Sequence, residues 1–262
     1  MFDLLIYLVA GVAVGLGSGL FGIGGGLIVV PVLLPVFAAQ GLGTDVAMHV
    51  AVASSLATIV VTTASSARAH WKLGNIVGRA LPWLISGLVV GSFAGAQIAA
   101  AVPGRALQII FGAFVILLAV RMALVGQVPP GRVMPPPPVV TGVGGVIGTI
   151  AGMVGIGGGA LIVPFLAWTG VEMRKAVGTS AASNVCVAIA GTLGFIVAGV
   201  GEAGLPDWST GYIYWPAVGG ITLASVFTAP LGAKLASRLP AQVLRRAFAA
   251  FLVVVGLKML AG

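Results

Sequence analysis

Gly22-Ile23-Gly24-Gly25-Gly26, with Gly15 and Gly19 ahead of it and Pro31 behind, returns 133 residues later as Gly155-Ile156-Gly157-Gly158-Gly159 with Gly148, Gly152 and Pro164. Two further blocks keep the order. Met48 and Ala51-Val52-Ala53-Ser54-Ser55 match Met173 and Ala176-Val177-Gly178-Thr179-Ser180. Pro103, Leu107, Phe111, Phe114 and Arg121-Met122 match Pro240, Leu244, Phe248, Phe251 and Lys258-Met259. Ordered blocks of this kind are the mark of internal duplication. The copies run over residues 1–125 and 139–262, and residues 126–138 form a Pro-rich cytoplasmic linker ending in Pro135–Pro138, a run that favours extended polyproline backbone.

Around these blocks the chain is almost uniformly apolar. Of its 262 residues 59% are hydrophobic and 7% charged, against about 25% charged in a soluble domain. Apolar segments cover roughly 4–21, 26–39, 47–67, 81–101 and 105–125 in the first copy, and 139–154, 159–170, 176–199, 212–233 and 241–260 in the second. About 20 residues cross a bilayer core as a helix. The expected fold is therefore all-α and polytopic. Its 41 glycines follow no G-x-y period, which excludes collagen, and glycine is common where membrane helices pack closely. The net charge of +8 sits in short segments between apolar runs, so it points to membrane orientation and not to nucleic acid. A single cysteine, Cys186, excludes an intrachain disulfide. The start, Met1-Phe2-Asp3, lacks the basic flank of a signal peptide, and 4–21 reads as a retained span.

Five segments per copy is an odd number, so the second copy is expected to be inverted. Charge tests this independently. Arg68, His70, Lys72 and Arg79 lie between the third and fourth segments of the first copy, whereas the equivalent stretch of the second carries Glu202 and Asp207 and no Lys or Arg. Conversely, Arg105 is alone in the fourth connection of the first copy, and Lys234, Arg238, Arg245 and Arg246 surround its counterpart. With Arg68–Arg79 in the cytoplasm, 11 of the 13 Lys and Arg residues fall on that side and both termini lie outside. The first two segments of each copy are either two full spans or one re-entrant hairpin, since both return the chain to the same side.

Four glycines in five residues break a helix, at about 1 kcal/mol per interior position. The helix after such a break offers unpaired N–H groups and a positive dipole end, an anion site of the kind found in inverted-repeat transporters; close helix packing by glycine is the alternative reading. Gly24, Gly25 and Gly26 with Gly157, Gly158 and Gly159 are the backbone candidates. The third helix of each copy adds side chains: Ser54 and Ser55, paired by the repeat with Thr179 and Ser180, and Asn184, whose amide needs partners away from water. His49, near the external end of its helix, is a candidate proton site or a structural interfacial histidine. No carboxylate lies at bilayer-centre depth, so a carboxylate proton relay is not expected. Trp83, Trp168, Trp208 and Trp215 lie near segment ends, where interfacial anchors belong. No cluster of metal ligands and no nucleophile with its base appears, so no metal, cofactor or catalytic role is expected.

The Gly-x-Gly-Gly-Gly pair followed by Pro31 and Pro164, with Ala-Val-(Ala/Gly)-(Ser/Thr)-Ser downstream and Gly95-Ala96 and Gly232-Ala233 in the fourth helices, resembles the TauE/SafE family of sulfite and organosulfonate exporters. The similarity covers nearly the whole chain. It implies a bacterial inner-membrane transporter of small sulfur-containing oxyanions such as sulfite or sulfoacetate. An anion channel and a non-transporting structural or assembly protein are the competing expectations. The sequence does not set the oligomeric state.

Overall fold

The structure, a computed structural model, describes residues 2–21, 25–78, 81–124, 134–236 and 241–261. Gly22–Gly24 and 125–133, most of the expected linker, lie outside the described residues. Among the described residues the first copy forms α1 (Phe2–Phe21), α2 (Gly26–Ala39), α3 (Thr44–Lys72), α4 (Leu81–Ala101) and α5 (Gly104–Leu124). The second forms α6 (Pro137–Val154), α7 (Gly159–Trp168), α8 (Met173–Ala198), α9 (Trp215–Ala236) and α10 (Ala241–Ala261). Every apolar segment is a helix, and the fold is all-α and polytopic. Pro136 is extended at φ −61° and ψ 153°, and Pro137 opens α6, where a missing N–H costs nothing. One piece of strand interrupts the pattern. Ser209–Thr210 (β1) pairs antiparallel with Ile213–Tyr214 (β2) around Gly211, so α9 starts at Trp215 and not at 212.

Glycine sets which helices touch. A Cβ on Gly87, Gly91 or Gly95 of α4 would strike the backbone of Thr141, Gly145 or Thr149 of α6. Gly144, Gly148 and Gly152 of α6 meet Leu84, Leu88 and Ser92 of α4 in the same way. Both helices thus present small residues every four positions, and their backbones lie in direct contact without side chains between them. Gly11 and Gly15 of α1 lie likewise against Ile221 and Ser225 of α9. In both pairs the residue numbers rise together, so α4 runs parallel to α6 and α1 to α9.

The equivalent helices of the two copies run the other way. Arg105 at the start of α5 donates to the Leu260 carbonyl at the end of α10 (3.0 Å), and Gly112 lies against Gly256, so α5 and α10 are antiparallel. Gly178, early in α8, lies on Asn75 just beyond α3, while Gly191 meets Leu56, so α3 and α8 are antiparallel too. Ser92 of α4 donates to the Val187 carbonyl and Gln97 to that of Gly194, each at 2.8 Å, which sets α4 parallel to α8.

Among the described residues five helices, α3, α4, α5, α6 and α8, are long and apolar enough to cross a membrane. The core is mainly apolar but holds buried hydroxyls, and the exterior is apolar as well. Ser54, Ser55, Ser92, Thr179 and Ser183 are buried, while Val90 of α4 and Phe227 of α9 are each 71% exposed, with Leu117, Val146 and Val254 on the same outward surface. An apolar exterior around a partly polar interior suits lipid as the solvent. Trp83, Trp168, Trp208 and Trp215 are all exposed near helix ends or in the α8–α9 connection.

Candidate functional site

Gly26, at the described end of the first glycine break, and the second break both lie at the middle of the molecule. Ile59 sits halfway along α3 and Asn184 near the middle of α8, and a Cβ on Gly26 would come 2.7 Å from Ile59 Cδ1, one on Gly159 3.0 Å from Asn184 Nδ2. α2 has 14 residues and α7 has 10, lengths of about 21 and 15 Å at 1.5 Å per residue, short of the ~30 Å hydrocarbon core. Each therefore runs from mid-depth to one surface. In the first copy the hairpin closes at its open end as well, where the Tyr7 hydroxyl donates to Gln40 Oε1 (2.9 Å).

The turns need glycine for stated reasons. Gly155 ends α6 at φ 73°, its N–H donating to the Ala151 carbonyl, and Gly157 follows at φ 69°; both are left-handed positions that side chains disfavour. Gly158 caps α7 with no side-chain bond, its carbonyl accepting from Leu161 and Ile162 N–H at 3.0 and 2.8 Å. The N–H groups ahead of those two have no acceptor within the helix. Gly25 caps α2 at φ 86°, again without a side-chain cap. The two breaks also touch. A Cβ on Gly26 would lie 2.7 Å from Ile156 Cα and 2.8 Å from the Gly155 oxygen. Of the first break, Gly25 and Gly26 are placed here; Gly24 lies outside the described residues.

Asn184 projects at the second break. Its amide is 3.0–3.5 Å from where Cβ atoms on Gly157, Gly158 and Gly159 would stand, so any side chain there would displace it. The residue is 4% exposed, and its Oδ1 is buried with no hydrogen-bond partner. Ser180, one turn earlier, places Oγ 3.7 Å from a Cβ on Gly159. Ser183 Oγ is buried and unpartnered as well. In the first copy the position equivalent to Asn184, counted from the Ser55–Ser180 match, is Ile59. The two walls therefore differ: amide on one side, hydrocarbon on the other.

The remaining candidates are held elsewhere. Ser55 Oγ donates to the Gly155 carbonyl (2.8 Å), tying the third helix of one copy to the break of the other. Ser54 Oγ accepts from Tyr214 N–H (3.1 Å) and Thr179 Oγ1 from Val77 N–H (2.9 Å). These two bonds are counterparts, each fastening the connection that leads into the fourth helix. His49 is distant from the breaks. Its Nδ1 faces the Asp45 carbonyl and its Nε2 the carbonyls of Ala99 (2.9 Å) and Val102 (3.0 Å), and the ring stacks on Tyr212 at 5.2 Å. It lines a cavity of about 290 Å³ with Asp45, Glu202 and Tyr212. In that connection, burial first and then Glu202, by charge and hydrogen bond, push the Tyr212 hydroxyl above its usual range. Among the described residues no group of three or more His, Cys, Asp or Glu could hold a metal.

Helices broken at mid-depth, buried polar groups at the breaks and a lipid-facing apolar exterior define a multi-pass membrane protein built around a central polar site. The chain belongs to the TauE/SafE sulfite exporter family, whose model matches residues 7–259. A probable membrane transporter protein of Haemophilus influenzae is 39% identical over 98% of this chain and 97% of its own length. A probable membrane transporter protein of Methanocaldococcus jannaschii is 29% identical over 97% of this chain and 94% of its own. No solved structure matches. The protein is a membrane transporter and not an enzyme.

Proposed function

We propose that the protein exports small sulfur-containing oxyanions, sulfite or an organosulfonate, across a bacterial inner membrane by alternating access between two inverted copies, 1–125 and 139–262. The observation that carries this reading is the uncapped start of α7 facing the buried Asn184 amide where the two breaks meet. Backbone N–H groups and the dipole of a helix start favour an anion. Gly157–Gly159 and Asn184 bind it, with Ser180 beside them and Gly25 and Gly26 completing the opposite wall. Ser55 holds the second break in place through Gly155, and Ser54 and Thr179 fasten the connections that must move with each copy. The antiparallel runs of α3 against α8 and of α5 against α10 support inversion, as does the asymmetry of Lys and Arg, which puts both termini outside.

The five acidic residues, Asp3, Asp45, Glu172, Glu202 and Asp207, lie at helix ends or in connections, none in the middle layer. An anion bound by neutral dipoles keeps its charge, and moving one charge out of a cell ~100 mV negative inside is favourable by about 2.3 kcal/mol. Voltage alone then drives export. The test is uptake of labelled sulfite into liposomes, with pH clamped and voltage imposed. The expected flux saturates, shows counterflow and rises when the destination is positive. Flux linear in concentration without counterflow would make the protein a channel, and no flux of any anion would end the anion reading.

A further inference from the structure

An orphaned acceptor next to an anion site restricts what the anion can be. We propose that the transported anion carries its own hydrogen-bond donor, a singly protonated oxyanion such as hydrogen sulfite, and that Asn184 Oδ1 accepts that proton's hydrogen bond. The proposal rests on the anion reading above and narrows it.

The start of α7 supplies donors only. An oxyanion without a proton supplies acceptors only, so it can satisfy those N–H groups but leaves Oδ1 bare and facing like charge. Leaving a buried acceptor unpaired costs about 1–3 kcal/mol. A singly protonated anion meets both demands: its bare oxygens take the N–H groups, and its O–H donates to Oδ1. The site asks for one such donor and not two, because the equivalent wall in the first copy is Ile59, packed on Gly26. One anion per chain follows.

Among the described residues, the helices around the site bring no Asp, Glu, His, Lys or Arg side chain to it. α2, α4, α6 and α7 carry no ionisable side chain of the Asp, Glu, His, Lys or Arg type. On α3, Asp45 and His49 lie in the first two turns and Arg68, His70 and Lys72 in the last two. On α8, Arg174 and Lys175 lie in the first turn and the half-buried Cys186 is next but one to Asn184. Below the alkaline range, a pH dependence of binding thus belongs to the ligand.

The experiment is calorimetric titration of the purified full chain with sulfite at a series of pH values across its protonation near neutrality, beside methanesulfonate, which stays unprotonated throughout. Sulfite should bind more tightly as pH falls through that range, one per chain, and at the acid end exceed methanesulfonate by about tenfold, the worth of one hydrogen bond to a charged ligand. Asn184→Leu should bring the two ligands together. If wild-type protein binds methanesulfonate as tightly as sulfite at the acid end, or binds sulfite more tightly at the alkaline end, the proposal is overturned and the anion reading stands. If it binds neither anion, both fall. The wild-type comparison decides the matter even where Asn184→Leu fails to fold.

Discussion

Ser54 and Ser55 are adjacent and both buried, yet they do different work: one accepts from Tyr214, 160 residues away, and the other donates to Gly155, 100 residues away. The duplication marks both hydroxyls as special. It does not show which way they point, because partners at that separation exist only once the copies have packed. Asn184 is the reverse case, since its polarity and its lack of a counterpart are both visible in the chain, and Ile59 reads off the same alignment. His49 shows how a titratable residue can be placed by its surroundings. Three backbone carbonyls around its ring join the start of α3 to the end of α4. The expectation is that His49→Gln destabilises the folded protein by about 1–3 kcal/mol for the bonds lost, read as a lower midpoint of thermal unfolding, while substrate exchange in liposomes persists. Should an imposed pH gradient drive wild type uphill at zero voltage and His49→Gln lose that drive but keep exchange, His49 is the proton site and transport is proton-coupled.

At the scale of elements, the apolar segments and their lengths were legible throughout, because a run long enough to cross a bilayer admits no other economical structure. Their ends were less so. The strand β2 occupies the start of what reads as one apolar segment, since strands of two residues leave no periodic trace. Nor does the sequence show that Gly87, Gly91 and Gly95 meet the second copy, because a small-residue stripe names a contact face without naming the partner. The packing makes a sharp distinction between glycines of one helix pair. A methyl on Gly91 would run into the Gly145 carbonyl, whereas one on Gly142 of α6 meets nothing within 4 Å. Gly91→Ala should destabilise the folded protein by about 1–3 kcal/mol, the usual cost of overpacking. Gly142→Ala should leave the melting temperature unchanged. Equal stability of the two variants, measured by thermal unfolding in detergent, would mean that α4 and α6 are not in backbone contact.

Across the whole molecule the helix contacts map onto themselves when the copies are exchanged: α4 with α6 becomes α9 with α1, and α3 with α8 and α5 with α10 return unchanged. Equivalent helices run antiparallel, as expected if the operation relating the copies turns one over with respect to the other. On this account the glycine breaks enter from opposite faces and meet at mid-depth, where an occluded anion can be passed from one side to the other without a continuous pore. Inversion is thus the central claim, and it has a direct measurement. In a Cys186→Ser background, single cysteines are placed at Leu73, 71% exposed after α3, and at Ala203, exposed after α8, and labelled with a membrane-impermeant maleimide in intact and in inside-out vesicles. The account predicts that Leu73→Cys reacts only from the cytoplasmic face and Ala203→Cys only from the outside. Reaction of both from the same face would contradict it.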